Sequence, residues 1–309
     1  MIYTVTLNPA LDKEYRVPKL EQNEVLRAKA ERTDFGGKGF NVSRMLYALG
    51  MESTAVGFVG GEIGRVMDEG LQAMGISTDF VTVADDTRTN VSIVSQLDGQ
   101  YIKVNEPGPT ITDEDMRRLF EKVDGLLAPG DWWVLAGSLP PGAPVDLYAR
   151  LITRIKQKDG KVILDTSGEA LKLGCAAGPY LIKPNVEEAR EIIEMPAGKT
   201  TDIGKMIARI HAMGANLIIL SAGKHQSYLS DGNRLWAGVP PRILEKNPTG
   251  AGDAMLAAIV YALALEKPPA EAFAWGIASG SAAASQPGTR MAEKSVVEAL
   301  IKKVIVKEE

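Results

Sequence analysis

The sequence has 309 residues, of which 45% are hydrophobic and 24% are charged, a composition typical of a folded globular protein and not of a disordered chain. The formal net charge of -4 gives no broad basic surface, so we expect neither a nucleic acid nor a membrane as a partner, and a phosphate group would have to be bound by local contacts. One cysteine and two histidines exclude a disulfide framework and a cluster of thiolate or imidazole metal ligands.

The first predicted strand follows no basic leader, and no apolar run reaches the roughly 20 residues that span a bilayer, so we expect a cytoplasmic protein. From this strand to residue 223, short β-branched runs alternate with amphipathic helical patterns. The strands are predicted at 2–7, 54–59, 132–137, 161–165, 180–183 and 216–223, and the helices at 40–49, 64–74, 113–128, 145–158, 186–194 and 201–213. Thr112 and Asp115 match a capping box at the start of one of these helices.

Repeated units of strand, helix and strand fold into a parallel sheet with right-handed crossovers. The sequence therefore predicts a single α/β domain over 1–309, with a doubly wound, mostly parallel sheet and helices on both faces. In such a sheet the ligand lies beyond the carboxyl ends of the strands. The residues that follow each strand are the first candidates for a functional site.

A hairpin pattern interrupts this alternation between residues 89 and 104. Apolar and polar residues alternate there around Asp98-Gly99, a dipeptide typical of tight hairpin turns. We predict a small sheet outside the main one, a lid formed by about 12–33 and 87–105. The partly apolar face of this lid needs a cover, which a second subunit could supply. The apolar residues of that face are Val91, Ile93 and Leu97.

After Ala251 the sequence is predicted to be helical to its end, with helices at 251–266, 269–286 and 295–304. The many alanines of these segments allow the helices to pack closely as a terminal layer.

The segment NPTGAGDAM, residues 247–255, runs directly into the first of these helices. Gly250 and Gly252 permit a turn that leaves backbone N–H groups unpaired at a helix N-terminus, where the helix dipole also favours an anion. Asp253 would lie at the edge of this anion site and could accept a proton from a hydroxyl that attacks a phosphate. The alternative is a plain helix start in which Asp253 complements the dipole, and for an isolated match this alternative is favoured.

A second glycine-rich turn, GGKGFNVSRML at 36–46, also opens a helix. Lys38 offers a point charge where the backbone can approach a ligand closely, and Asn41 in the first turn can bond hydroxyl groups. The pattern is neither a Walker A loop nor a dinucleotide-binding fingerprint. Taken alone, a surface lysine in a turn is the more common explanation.

Three further groups directly follow predicted strands: Asn8 to Asp12, Gly137 to Gly142, and Lys183 to Asn185. Asn185 and Glu188 lie three residues apart at a helix start, so both could hold one Mg²⁺ ion through oxygen atoms and water. Each group alone is also ordinary turn and cap chemistry. Their shared position after strands favours the functional interpretation.

The segments GGKGFN, GSLPPG, KPNVEE and NPTGAGDAM, in this order and spacing, resemble the signatures of the ribokinase-like sugar kinases, the phosphofructokinase-B family. The resemblance covers nearly the whole chain. The opening TLNPALD and the lysine within GGKG are similar to the 1-phosphofructokinase and tagatose-6-phosphate kinase subgroup, whose substrates already carry one phosphate. The resemblance implies a homodimer in which the lids of two subunits pair.

The resemblance also implies a role for each matching residue. Asp253 would be the catalytic base, and the N–H groups of Gly250, Ala251 and Gly252 the anion hole. The sugar phosphate would contact Asp12, Gly37, Lys38, Asn41 and Ser138, with Arg88, Lys103 and Arg27 at its phosphate. ATP would contact Lys183, Asn185, Ser221, Gly223, Thr249, Gly250 and Gly252, Asn185 and Glu188 would hold Mg²⁺, and a monovalent cation such as K⁺ could bind near 283–288.

The sequence departs from the family pattern at two positions: Gln226 replaces the last glycine of the loop that follows Ser221, and Ala136 stands where a serine commonly precedes Gly137. Three sugar phosphates are candidate acceptors, in this order of preference: fructose 1-phosphate, tagatose 6-phosphate and fructose 6-phosphate. Two other readings are a kinase for an unphosphorylated sugar or nucleoside and a non-catalytic sensor. The retained Asp253 argues against a sensor, because a binding protein needs no base there.

Overall fold

The computed structural model describes residues 1–195, 202–223 and 225–309. The strands are β1 (Ile2–Thr6), β2 (Ala10–Val17), β3 (Ala30–Gly36), β4 (Thr54–Gly60), β5 (Ser77–Val83), β6 (Arg88–Ser95), β7 (Tyr101–Asn105), β8 (Trp132–Ala136), β9 (Lys161–Asp165), β10 (Leu181–Ile182), β11 (Leu217–Leu220), β12 (Ser227–Ser230), β13 (Leu235–Val239) and β14 (Ile305–Glu308). The helices are α1 (Lys38–Ala48), α2 (Gly61–Ala73), α3 (Asp113–Leu126), α4 (Leu147–Lys156), α5 (Gly168–Ala176), α6 (Val186–Ile192), α7 (Ile203–Met213), α8 (Ala251–Ala264), α9 (Pro269–Ala284) and α10 (Lys294–Ile301).

The main sheet has ten strands in the order β14-β13-β12-β11-β10-β9-β8-β1-β4-β5. The seven strands from β11 to β5 are parallel, and β12, β13 and β14 extend the sheet as an antiparallel edge. This confirms the predicted doubly wound, mostly parallel sheet with helices on both faces. The carboxyl ends of β1, β8, β9 and β10 lie side by side, as the site prediction requires.

The sheet separates two hydrophobic layers. Trp132 packs with α1, α8 and α9 on one face, whereas its neighbour Trp133 packs with α3, α4 and α5 on the other. This alternation follows from the two-residue period of a strand. Helix α8 is buried all round, which explains why its sequence lacks a polar face. Within the described ranges, no helix has the length and apolarity to cross a membrane.

The predicted elements are confirmed in type, but helix α5 and the strands β5, β12, β13 and β14 were missed. Strand β5 begins two residues after Gly75, and β12, β13 and β14 form the antiparallel edge. The prediction of helices to the end of the chain is wrong, because the last element is β14, which pairs with β13. The predicted helix start at residue 201 lies outside the described residues.

The lid is a separate sheet of four strands in the order β3-β2-β6-β7, as predicted from the hairpin and the segment before it. Strands β6 and β7 are antiparallel, and the chain turns at residues 96–100. Ile93 pairs with Ile102 and Val91 with Val104 on one face of the lid. Ile102 and Val104 are 53% and 60% exposed, so this apolar face has no full cover within one chain.

Candidate active site

Helix α8 begins at a turn that only glycine adopts readily. Gly250 has a φ of 82°, in the left-handed region, and it precedes the first helical residue, Ala251. The amide of Ala251 donates to the Pro248 carbonyl at 3.1 Å, whereas those of Gly250 and Gly252 find no backbone acceptor in the described part of the chain. Two of the three predicted anion-hole amides are therefore open to a ligand.

Asp253 lies in the first turn of α8 and is 8% exposed. Its Oδ2 accepts a hydrogen bond from Asn41 Nδ2 at 2.8 Å. Burial and the nearby Asp165 carboxylate raise the pKa of Asp253 to about 6, although Asn41, Lys38 and Lys183 act in the opposite direction. A carboxylate with a pKa near neutral pH is suited to act as a general base.

Asp165, at the end of β9, joins two predicted site residues that come from distant parts of the chain. Lys38 Nζ lies 2.9 Å from Asp165 Oδ1, and Lys183 Nζ lies 3.3 Å from Asp165 Oδ2. Burial opposes ionisation of this carboxyl, which is 1% exposed, but Lys183 and Lys38 outweigh that effect and lower its pKa. Lys183 also lies beside α8, since a Cβ added to Gly252 would be 3.5 Å from its Nζ.

The sequence prediction missed Asp165. Its position at the carboxyl end of a buried strand was the available signal, because the same rule selected Lys183.

Two close glycine contacts bring helix α1 to this edge of the sheet. A Cβ at Gly37 would lie 2.9 Å from Thr6 Cγ2, and a Cβ at Gly39 would lie 2.4 Å from Thr6 Oγ1. The start of α1 can therefore pack directly on the end of β1, which positions Lys38 and Asn41. Burial lowers the pKa of Lys38, but Asp165 and Asp253 outweigh it, so the ammonium group is held in its charged form.

Asp12 projects from β2 of the lid and accepts a hydrogen bond from Asn90 Nδ2 at 2.8 Å. A side chain at Gly36 would overlap Asp12, since its Cβ would lie 2.2 Å from Asp12 Oδ2. Burial raises the pKa of Asp12, while Asn90, Lys103 and Arg88 act against this rise. The lid thus brings three predicted substrate residues, Asp12, Arg88 and Lys103, close together. Asn90 was not predicted.

The predicted phosphate ligands differ in how freely they face solvent. The Arg88 guanidinium donates to the carbonyl oxygens of Asn8, Pro9 and Glu106, at 2.9, 3.4 and 3.1 Å. Lys103 is exposed on β7, and Arg27 is exposed in the loop between β2 and β3. Ser138 is exposed just after β8. In this structure Arg88 therefore connects the lid to the end of β1.

A cleft of about 230 Å³ lies on the other side of the α8 start. Its lining includes Ser221, Gly223 and Gly252, which were predicted to face the nucleotide, and several apolar side chains. The apolar lining residues include Pro241, Ile243, Met255 and Ala284. Thr249 is exposed at the start of α8, and Lys224 of the predicted loop lies outside the described residues.

Asn185 and Glu188 form a reciprocal cap at the start of α6. Asn185 Oδ1 accepts from the Glu188 amide, and Glu188 Oε2 accepts from the Asn185 amide, both at 2.8 Å. This is the cap chemistry that the sequence analysis left open as an alternative. The Glu188 carboxylate nevertheless contributes to the raised pKa of Lys38, so its charge acts on the same site. Its cap leaves one carboxylate oxygen for a metal ion, which fits Mg²⁺ held mainly through water.

The chain is similar to known proteins over most of its length. Residues 6–295 match the model of the pfkB family carbohydrate kinase. A 1-phosphofructokinase of Bacillus subtilis (strain 168) is 35% identical over 284 residues, 92% of each chain. Phosphofructokinase-2 of Escherichia coli in complex with potassium superposes with a TM-score of 0.93 at 30% identity, over 98% of each chain. Its complex with fructose-6-phosphate gives a TM-score of 0.90 at 29% identity, again over 98% of each chain.

These matches span nearly the whole chain and include the segments that carry the site. The chain belongs to the pfkB family of carbohydrate kinases, phosphotransferases that act on a sugar hydroxyl.

Proposed function

We propose that the protein transfers the γ-phosphoryl group of ATP to a hydroxyl of a ketohexose monophosphate, with fructose 1-phosphate as the preferred acceptor. The observation that carries the proposal is the buried Asp253, with a pKa of about 6, at the amide-lined start of α8 and beside a carboxylate that holds two lysines. The 1-phosphofructokinase name of the Bacillus subtilis relative supports the choice of acceptor.

In the proposed reaction the acceptor hydroxyl loses its proton to Asp253 while its oxygen bonds to the γ-phosphorus. The bond from that phosphorus to the oxygen it shares with the β-phosphate breaks, and ADP leaves. Asn41 holds the carboxylate in place through its hydrogen bond of 2.8 Å. The open amides of Gly250 and Gly252 would stabilise the charge that spreads over the phosphoryl oxygens.

The two lysines are assigned to opposite sides of the transfer. Lys38, next to the lid, would contact the acceptor, and Lys183, beside Gly252, would contact the ATP phosphates. Asn185 and Glu188 would hold Mg²⁺, which neutralises phosphate charge when it is bound. A monovalent cation near 283–288 also remains a prediction, supported by the potassium complex of the Escherichia coli structure.

Two other sugar phosphates are close alternatives to fructose 1-phosphate as the acceptor. Tagatose 6-phosphate and fructose 6-phosphate both differ from the preferred acceptor in the position of the phosphate, and tagatose 6-phosphate also differs in the orientation of one hydroxyl. The Escherichia coli complex with fructose-6-phosphate favours fructose 6-phosphate as the second candidate. An ADP-release assay with the three sugar phosphates and plain fructose separates them. We expect the highest kcat/KM with fructose 1-phosphate. Equal rates with plain fructose would contradict an anionic acceptor, and the absence of ADP release with all four would contradict the kinase assignment.

We also propose a homodimer formed through the lids. Its support is the half-exposed pair Ile102 and Val104, which lies opposite Ile93 and Val91 on the apolar face. A second lid would cover this face, and closure of the lid would keep water away from the phosphoryl group.

A further inference from the structure

Arg44 of helix α1 lies behind the proposed base and does not contact it. Arg44 Nη1 is 3.3 Å from Asn41 Oδ1, and Arg44 Nη2 is 3.2 Å from the carbonyl oxygen of Thr289. Asn41 in turn donates from its Nδ2 to Asp253 Oδ2 at 2.8 Å. One chain of hydrogen bonds therefore runs from the turn at Thr289 through Arg44 and Asn41 to the carboxylate.

The donors and acceptors in this series of hydrogen bonds allow only one orientation of the Asn41 amide. An asparagine side chain has a donor end and an acceptor end, whereas an arginine has donors only and an ionised carboxylate accepts only. A reversed amide would place its NH₂ group against the Arg44 guanidinium and its oxygen against the Asp253 carboxylate. Both contacts would then be repulsive, and Asp253, which is 8% exposed, would lose its hydrogen-bond donor.

We propose that Arg44 is a positioning residue of the reaction: it fixes the Asn41 amide with its donor end toward Asp253. This inference rests on the proposed role of Asp253 as the base. Arg44 contributes no atom to the reacting groups, and its effect passes entirely through Asn41. Its second contact, to the Thr289 carbonyl, keeps the guanidinium from turning away to solvent.

The surrounding charges are compatible with this role. Burial lowers the pKa of Arg44, the Asp34 carboxylate on β3 raises it, and Arg32 on the same strand lowers it. An arginine remains charged at neutral pH under influences of this size, so Arg44 is a donor throughout the working range. Asp253 itself is faced by Asp165 from β9, by Lys38 and Asn41 from α1, and by Lys183 after β10.

The test compares Arg44→Met and Arg44→Lys with a matched control, Arg118→Met. Arg118 also bonds a side-chain oxygen three residues before it, Asp115 Oδ1 at 2.6 Å, and a remote backbone carbonyl, that of Thr82 at 2.6 Å, but it lies on α3 away from the site. The profile of kcat against pH is measured at saturating ATP and sugar phosphate. For Arg44→Met we expect kcat to fall roughly tenfold near neutral pH, the effect of one charged hydrogen bond.

The pH profile distinguishes positioning from general damage. In Arg44→Met nothing fixes the Asn41 amide from behind, so its donor end can turn away from Asp253. A carboxylate without this donor holds its proton more tightly, so the acid side of the Arg44→Met profile should move to higher pH. Arg44→Lys keeps a donor and should retain most of the wild-type profile, and Arg118→Met should leave the profile unchanged. The proposal is overturned if Arg44→Met keeps the wild-type profile, or if Arg44→Lys is as impaired as Arg44→Met.

A second comparison uses the Asn41→Ala background, in which the route from Arg44 to the base is absent. Arg44→Met should cause no further loss of kcat there, and an independent loss would contradict the proposal. If Arg44→Met does not fold, Arg44→Leu, which also lacks a donor, replaces it in both backgrounds. Asp253→Asn distinguishes failure of the proposed base from failure of the positioning role. Normal turnover in Asp253→Asn rejects Asp253 as the base. Loss of turnover in Asp253→Asn, together with wild-type kinetics in Arg44→Met, rejects only the positioning role.

Discussion

At the scale of single residues, the balance of charges around Asp253 decides how activity depends on pH. The pKa of Asp253 is raised to about 6, so the base is ionised above that pH and protonated below it. We therefore expect kcat/KM for the sugar phosphate, which reports the ionisation of the free enzyme, to fall by about tenfold per pH unit once the pH drops below this value. A rate that stays constant well below pH 6 would contradict the assignment.

Replacement of this base gives the complementary prediction. Asp253→Asn keeps the shape of the side chain but cannot accept the proton, so kcat should fall about 10²- to 10⁴-fold with little change in thermal stability. Steady-state kinetics and a melting curve are needed together, since a variant that melts early would lose activity for another reason. Near wild-type turnover would rule out Asp253 as the base.

Lys38 tests the acceptor side of the site. Lys38→Ala removes one charged contact worth roughly 1.5 to 3 kcal/mol, so kcat/KM for the sugar phosphate should fall about ten- to a hundredfold. The KM for ATP should barely change, because Lys183 still pairs with Asp165. Lys172→Ala is a suitable control, since Lys172 also pairs with a carboxylate, Glu194 at 2.7 Å, on the surface. Equal losses for both substrates would indicate damage to the glycine turn instead.

The glycine-rich turns were the strongest local signals of the site in the sequence. Lys38, Asn41 and Asp253 each lie within such a turn or directly after it, and the structure brings them together. Asp165 has only its position at the carboxyl end of β9 as a signal, and Asn90 has none, because an aspartate at the end of a strand or an asparagine within one is common. Their importance depends on which distant side chains meet them, and that is a property of the fold.

At the scale of elements, the start of helix α3 provides a local test of stability that is separate from activity. Thr112 accepts from the Asp115 amide at 3.2 Å, and its own amide donates to Asp115 Oδ2 at 3.0 Å, which is the predicted capping box. Thr112→Ala should cost about 1 kcal/mol of unfolding free energy, measured by urea denaturation, and should leave kcat unchanged. Thr153→Ala, in the exposed part of α4, is the control and should change stability much less.

Elements were predictable where periodicity and length agreed. Apart from β5, the parallel strands of the main sheet are short apolar runs between clear helical patterns, so their type could be predicted. Strands β12, β13 and β14 are short, and β14 is mostly exposed, so their pairing depends on the neighbouring strand more than on their own residues. This explains why the terminal segment was mistaken for a continuation of the helical layer.

At the scale of the whole molecule, the lid is joined closely to the elements that carry the site. Strand β3 ends at Gly36 and α1 begins at Lys38, so only Gly37 separates the lid from the helix that carries Lys38 and Asn41. Arg88 adds a second connection, since its guanidinium bonds the carbonyls of Asn8 and Pro9 after β1. A movement of the lid would therefore act directly on the acceptor side of the site.

The proposed dimer is tested by placing a charge on the apolar face of the lid. Ile102→Glu changes a residue that is 53% exposed in one chain, so the variant should fold, but its carboxylate would have to be buried if two lids pair. We expect sedimentation at micromolar concentration to show a dimer for the wild type and a monomer for Ile102→Glu. Leu265→Glu, at a residue that is 49% exposed after α8, should remain dimeric. A wild-type monomer with full activity, or a dimer that Ile102→Glu leaves intact, would mean that the apolar face of the lid has another role.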